Sequence, residues 1–97
     1  MKRLIYTPQA IRDIDGIWDY TADRWGVDQA ENYAGDIRDA CFALLHNEHA
    51  GQDAGTIRAG YQKHRSGSHF IFYRQISGGG IGNIRILHQQ MDFGSHL

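Results

Sequence analysis

The sequence predicts an α+β domain in the element order β-α-α-β-β-β, with a helix hairpin packed on a small, mainly antiparallel sheet. Two consecutive segments, 8–25 and 30–45, place apolar residues at helical spacing. Two later segments, 69–76 and 81–88, are dense in aromatic and β-branched residues and are separated by a glycine-rich turn. Because 97 residues suffice for one hydrophobic core but not two, we expect a single domain over residues 1–97.

The first predicted elements are a short strand at 3–6 and a helix from Pro8 to about Trp25. Thr7 suits the N-cap, and Pro8 suits the first helical position, where its missing N–H costs nothing. The apolar stripe predicts a core-facing side made of Ala10, Ile11, Ile14, Ile17, Trp18, Thr21, Ala22 and Trp25. The opposite side is expected to face solvent and carries Arg12, Asp13, Asp19, Tyr20 and Asp23.

Gly26 is expected to end this helix, and the tetrapeptide at 28–31 has the spacing of a capping box that starts the second. So short a connection predicts an antiparallel helix hairpin. Phe42 lies off the apolar stripe of the second helix. That stripe predicts a second core-facing side made of Ala30, Tyr33, Ala34, Ile37, Ala40, Cys41, Leu44 and Leu45.

A loop at 46–56 is expected to lead into three strands, at 57–65, 69–76 and 81–88. The strand at 69–76 is apolar on both faces, which is typical of a central strand. The glycine run at 78–82 lies between two strands. A phosphate-binding loop must lead into a helix N-terminus, so this run is interpreted as a hairpin turn.

Cysteine content and hydropathy limit the possible functions. The lone Cys41 excludes an internal disulfide, so we expect a cytoplasmic protein, and its place on a core stripe argues against a nucleophile. No apolar run approaches a membrane span, and the start lacks the apolar core of a signal peptide. His46 and His49 are wrongly spaced for a helical metal motif. We therefore expect no membrane association, no metal and no cofactor.

Charge divides the chain into two unlike halves. Residues 1–49 hold nine acidic and five basic residues, whereas residues 50–97 hold two acidic and five basic. The basic half interleaves its cations with aromatic residues. This pattern fits RNA chemistry, in which arginines hold a phosphate and a histidine or tyrosine moves a proton. It fits equally a surface complementary to an acidic protein segment, or a solvated sheet edge protected by charge.

Three strings resemble, in this order, the ParE toxins of bacterial toxin–antitoxin pairs, within the RelE/ParE superfamily. They are IWDYTADRWG (17–26), IRAGYQKHRSGSHFIFYR (57–74) and IRILHQQMDFGSHL (84–97). The resemblance covers nearly the whole chain. It implies the fold predicted above, a cognate ParD-like antitoxin and inhibition of DNA gyrase as the toxic activity.

The segment after the last strand bears on whether the protein is an enzyme. RelE-type relatives cut messenger RNA on the ribosome and carry a tyrosine or a histidine-tyrosine pair there, whereas this chain has no tyrosine after Tyr73. The string at 88–92 is instead similar to the ParE branch, which favours a non-enzymatic gyrase inhibitor. The alternative is a RelE-type mRNA endonuclease, and an inactive antitoxin-binding module is a third possibility. The endonuclease residues would be His88, Arg58, Arg65 and Arg74.

The resemblance also implies partner surfaces. We expect the antitoxin to be a flexible segment that folds on binding, and we expect no sequence-specific nucleic-acid binding by the protein alone. The candidate gyrase-binding residues are His88, Gln89, Met91 and Asp92. The candidate antitoxin-binding residues are Phe42, Tyr61, Arg65, Arg74 and Arg85.

Overall fold

A computed structural model describes residues 2–97, except for the side chain of Asn83. The helices are α1 (Pro8–Trp25), α2 (Val27–Leu45) and α3 (Phe93–His96), and the strands are β1 (Gln52–Asp53), β2 (Tyr61–Ser66), β3 (His69–Gln75) and β4 (Ile81–His88). The strands form one antiparallel sheet in the order β1-β2-β3-β4. The predicted α+β class is confirmed, with a helix pair on a small antiparallel sheet.

Thr7 both caps the start of α1 and joins it to the sheet by a hydrogen bond. Thr7 Oγ1 accepts a hydrogen bond from the Ala10 N–H at 3.0 Å and donates to the Ile84 carbonyl at 2.8 Å. Pro8 occupies the first turn, and Gly26 ends the helix with φ +93°, a backbone angle that favours glycine. The predicted bounds of α1 are confirmed.

The predicted capping box at 28–31 is wrong. Gly26 caps both helices, so α2 begins at Val27 and Asp28 lies inside its first turn, with no side-chain cap bond. The Asp28 carboxylate still suits this position, since the N-terminal end of a helix carries a partial positive charge.

Two residues assigned to the core side of α1 are exposed. Ile11 is 51% exposed and Trp25 is 63% exposed, whereas Ala10, Ile14 and Thr21 are buried. The helix contacts the sheet through β4, the edge strand, so only a narrow sector of its surface is covered. The burial prediction for Ile11 and Trp25 is therefore wrong.

The predicted strand at 3–6 is reduced to a single parallel bridge between Leu4 and Ile81. The Ile5 N–H donates to the Ile81 carbonyl at 3.1 Å, and the Ile81 N–H donates to the Arg3 carbonyl at 3.0 Å. β1 lies at the opposite edge, in a segment predicted to be loop. The strand predicted at 57–65 begins only at Tyr61, since turns closed by the Ala54 and Arg58 carbonyls occupy the preceding residues.

The sheet is buried on both faces. Its inner face, the one toward α1 and α2, carries Ile71, Ile84 and Ile86 and packs against both helices. Its outer face carries Phe72 and Leu87, which pack with Ala54 and are partly covered by Phe93 and Leu97 of the C-terminal segment. β3 is paired on both sides, which confirms the prediction that it is a central strand.

Candidate target and antitoxin interfaces

Cations and aromatic rings are interleaved on the outer face, as the sequence suggested. The register places Tyr61 opposite Arg74 and Arg65 opposite Phe70. The Arg74 guanidinium lies 5.7 Å from the centre of the Tyr61 ring. Lys63 and Arg65 lie 5.2 Å and 5.6 Å from the centre of the Phe70 ring. Cation–π contact holds these cations in place while leaving their charge near solvent.

Arg85, the fourth outer-face candidate, is bonded within the chain. Its Nε donates to Asp13 Oδ2 at 2.8 Å, and its Nη2 donates to Asp13 Oδ1 at 3.2 Å. The Ile86 N–H also donates to Asp13 Oδ2, at 3.0 Å. The hydrogen bond that Arg85 donates to the Asp13 carboxylate raises the pKa of Arg85. The prediction that Asp13 is a solvated residue is therefore wrong, because its carboxylate joins α1 to β4.

The C-terminal segment folds back across the outer face. The Arg85 Nη1 donates to the His96 carbonyl at 2.7 Å, and the Arg58 Nη1 donates to the Leu97 carbonyl at 2.8 Å. The Phe93 ring packs 4.8 Å from that of Phe72, between ring centres. These contacts anchor α3 to the sheet.

The candidate gyrase-binding residues lie together in one turn, which runs from His88 at the end of β4 to Asp92 before α3. Gln89 accepts a hydrogen bond from the Arg65 guanidinium. Asp92 precedes α3 and accepts from the Ser95 hydroxyl at 2.6 Å. The Met91 N–H donates to the His88 carbonyl at 3.0 Å, and the Met91 side chain is 46% exposed. The turn is thus fixed at both ends and exposes an apolar side chain at its centre.

A tyrosine and two histidines meet at the inner face, where β3 begins and β4 ends. Tyr33 Oη lies 2.7 Å from His69 Nδ1 and accepts the Ser68 N–H at 2.9 Å, which ties α2 to the β2–β3 turn. The His88 ring packs edge-on against His69, with 5.2 Å between ring centres. Burial and the neighbouring His88 lower the pKa of His69 to about 4. His69 is therefore neutral at pH 7.

The structure divides the candidate endonuclease residues between two faces of the sheet. His88 lies at the inner face with His69, whereas Arg65 and Arg74 lie on the outer face and Arg58 binds the C-terminus. A ribonuclease needs its general base and its phosphate-binding cations around the same phosphodiester. In the structure His88 and these cations lie on different faces of the sheet, and Arg65 is bonded to Gln89, the neighbour of His88.

Phe42 is also separate from the other antitoxin candidates. It lies on α2, 56% exposed, with its ring centre 4.4 Å from that of His46. Tyr61, Arg65 and Arg74 lie on the sheet face away from the helices. One partner must therefore wrap around the molecule to contact both surfaces.

A groove that the sequence did not reveal runs beside α1, and we call it the α1 groove. It consists of two cavities of about 300 and 460 Å³, which share Tyr20, Thr21, His69 and His88. The smaller cavity extends to Trp25 and Tyr33. The larger extends to Arg12, Ile17, Ile86 and Met91. The apolar stripe in the sequence placed Trp25 on the core side of α1 and Tyr20 on the solvated side, so it did not indicate this surface.

Comparison with known proteins identifies the family. A family model described as the ParE toxin of the type II toxin–antitoxin system parDE matches residues 4–93. The chain belongs to the ParE toxin family. It is 42% identical over 95 residues to Toxin ParE1 of Mycobacterium tuberculosis, covering 98% of this chain and 97% of the relative. It is 39% identical to Toxin ParE1 of Caulobacter vibrioides, covering 100% and 99%.

A solved structure supports the fold of this ParE family member. A chain of the chromosomal ParDE toxin–antitoxin system from P. aeruginosa superposes with a TM-score of 0.76 at 24% identity, covering 91% of this chain and 96% of that one. The resemblance noted in the sequence is thereby confirmed for the family and for the fold.

Two further observations concern the described residues of this toxin. No helix within residues 2–97 combines the length and the apolar character needed to cross a membrane. Over the same residues, no three side chains of histidine, cysteine, aspartate or glutamate form a group suited to a metal ion. Cys41 is buried, and burial raises the pKa of its thiol to about 11.

The lowered pKa of His69 predicts a loss of stability in mild acid. Below its ordinary pKa of 6.5 the unfolded chain binds a proton, whereas the folded chain does so only near pH 4. The free energy of unfolding should therefore fall between pH 6.5 and 4, by about 1–2 kcal/mol for a half-buried ring. Urea denaturation at several pH values measures this fall.

The matched variant is His69→Gln, which keeps a polar side chain beside Tyr33 but does not titrate. Burial and His49 also lower the pKa of His64, so part of the slope should remain in this variant. An equal slope in both proteins would contradict the assignment to His69.

Proposed function

We propose that this toxin inhibits DNA gyrase by binding it, without catalysing a reaction, and that a ParD-like antitoxin neutralises it. The observation that carries the non-enzymatic proposal is the separation of His88 from Arg58, Arg65 and Arg74. A protein lacking an assembled nuclease centre still inhibits a partner if it presents a rigid, complementary surface. Gyrase as the target rests on the family resemblance.

The proposed gyrase contact is the turn formed by His88, Gln89, Met91 and Asp92. Binding to an ordered turn loses less conformational entropy than binding to a free tail. This turn is held by β4 on one side and by Phe93 against Phe72 on the other. Met91 at its centre offers an apolar, adaptable contact.

The proposed antitoxin contact has a charged part and an apolar part. Tyr61, Arg65 and Arg74 form the charged part on the outer face, where an acidic segment gains electrostatic complementarity. Arg85 lies beside them, but its ion pair with Asp13 leaves less of its charge available to a partner. Phe42 forms the apolar part and suits the apolar stripe of an antitoxin helix.

Substitution of the turn tests the gyrase contact without unfolding the tail. Full deletion after Leu87 would remove Phe93 from the outer-face core, so it would test folding as well as binding. In the double variant Gln89→Ala/Met91→Asp, Phe93 stays in place. We expect a concentration for half-inhibition of supercoiling at least tenfold higher than that of the unaltered protein, which corresponds to roughly 1.4 kcal/mol of lost binding.

The control is Val27→Ala, which trims an apolar side chain that is 56% exposed and distant in sequence from the turn. The melting temperature of both variants should be measured first. Undiminished inhibition by a folded Gln89→Ala/Met91→Asp protein would refute the contact.

A further inference from the structure

The α1 groove is a surface of this toxin that none of its own described residues fills. Its two cavities meet at Tyr20 and Thr21, so they form one depression along α1 from Arg12 to Trp25. At the rise of an α-helix this length corresponds to about 20 Å. That is sufficient for a short helix or for about six residues of extended chain.

The rim of the groove is aromatic and exposed. Tyr20 is 56% exposed and Trp25 is 63% exposed, and their rings meet edge-on with 6.2 Å between centres. Exposed aromatic rings at the edge of a depression are typical anchors of protein interfaces. The pair therefore suits a protein partner.

The groove is continuous with the turn proposed to contact gyrase. His88 and Met91, both in that turn, form one wall of the larger cavity, and Ile17 and Tyr20 of α1 form the other. A partner segment seated against Met91 must therefore also lie over α1. The charged part of the proposed antitoxin contact, on the outer face, is on the other side of the sheet.

The charges at the groove indicate the chemistry of the partner. Arg12 lines the larger cavity, and the Arg24 guanidinium lies 4.8 Å from the centre of the Tyr20 ring. Neither has an ion-pair partner among residues 2–97, while Asp13 is neutralised by Arg85. The lining of the groove combines aromatic and apolar surface with polar side chains. Arg12 and Arg24 are cations beside it without an ion-pair partner among residues 2–97, which favours a segment carrying carboxylates.

We propose that the α1 groove is the second half of the gyrase contact and binds an acidic, amphipathic segment of gyrase. The proposal rests on the gyrase inhibition proposed above. It adds Tyr20, Trp25, Arg12 and Arg24 to the turn residues and makes α1 a determinant of target binding.

The test compares two charge insertions on opposite sides of α1. Tyr20→Glu places a carboxylate in the groove, where it should repel an acidic segment, and Ile11→Glu places the same side chain about 180° around the helix, at a site that is 51% exposed. Each full-length protein is assayed for melting temperature, inhibition of gyrase supercoiling, affinity for purified gyrase and affinity for the antitoxin. Tyr20→Glu should weaken inhibition and gyrase affinity at least tenfold, whereas Ile11→Glu should change both less than twofold.

Each outcome decides the proposal. Normal inhibition by folded Tyr20→Glu overturns it, as does a loss of antitoxin affinity alone, which would assign the groove to the antitoxin. If Tyr20→Glu does not fold, Trp25→Ala provides the same comparison without adding charge. If the unaltered protein neither binds nor inhibits gyrase, the proposed function fails as well. If the unaltered protein binds and inhibits gyrase, and the groove variants bind and inhibit it equally well, only the groove proposal fails.

Discussion

Replacing Phe72 with alanine is expected to lower the free energy of unfolding by about 3–5 kcal/mol. Phe72 is fully buried on the outer face and is the largest side chain there to be so. Its ring packs against Phe93 at 4.8 Å and Phe70 at 6.3 Å, between ring centres. The variant therefore leaves a cavity and also removes the surface on which α3 rests.

The loss expected for Phe72→Ala is large relative to the total stability of the protein. A domain of this size has a total stability of roughly 5–15 kcal/mol, so Phe72→Ala should remove a substantial fraction. Urea denaturation measures the change. The matched control is Phe42→Ala, which deletes the same side chain where it is 56% exposed and should cost less than about 1 kcal/mol. Equal losses in the two variants would contradict the outer-face core.

Replacing Asp13 with alanine is expected to cost about 2–3 kcal/mol. The Asp13 carboxylate accepts three hydrogen bonds, from Arg85 Nε, Arg85 Nη2 and the Ile86 N–H. Its removal leaves the Arg85 side chain, which is only 19% exposed, without an ion-pair partner, and it leaves the Ile86 N–H without its acceptor. Unsatisfied groups of this kind cost more than the net contribution of the bonds themselves.

Two further variants distinguish the loss of the Asp13–Arg85 ion pair from the effect of removing any carboxylate of α1. Asp19→Ala alters an exposed carboxylate on the same helix and should change stability by less than about 0.5 kcal/mol. The double variant Asp13→Ala/Arg85→Met removes the unpaired cation and should recover part of the loss. If the double variant is no more stable than Asp13→Ala, the unpaired Arg85 charge is not the cause of the lost stability.

Local chemistry explains why the helices were predictable. Thr7, Pro8 and Gly26 act through backbone geometry within one turn of the chain, so the bounds of α1 follow from the sequence. The last strand, at 81–88, was predictable because it lies between a glycine-rich turn and polar residues. These features require no knowledge of the rest of the molecule.

Tertiary contacts explain what the sequence did not show. Asp13 has the pattern of a solvated residue, yet it bonds to Arg85, 72 positions away. Tyr33 follows the core stripe of its helix, but its hydroxyl bonds to Ser68 and lies against His69 on the sheet. β1 has only two exposed residues and carries no hydrophobic alternation that would reveal it. The α1 groove is lined by His69 and His88 of the sheet as well as by α1, and periodicity along one helix does not encode which sheet residues lie beside it.

A supercoiling assay measures the proposed inhibition of DNA gyrase. Purified toxin is titrated into gyrase acting on relaxed plasmid, with and without an excess of the cognate antitoxin, and the antitoxin-free protein is first shown to be folded. We expect inhibition that rises with toxin concentration and disappears when antitoxin is added. Full supercoiling in the presence of folded toxin, together with cleavage of messenger RNA on ribosomes, would contradict it.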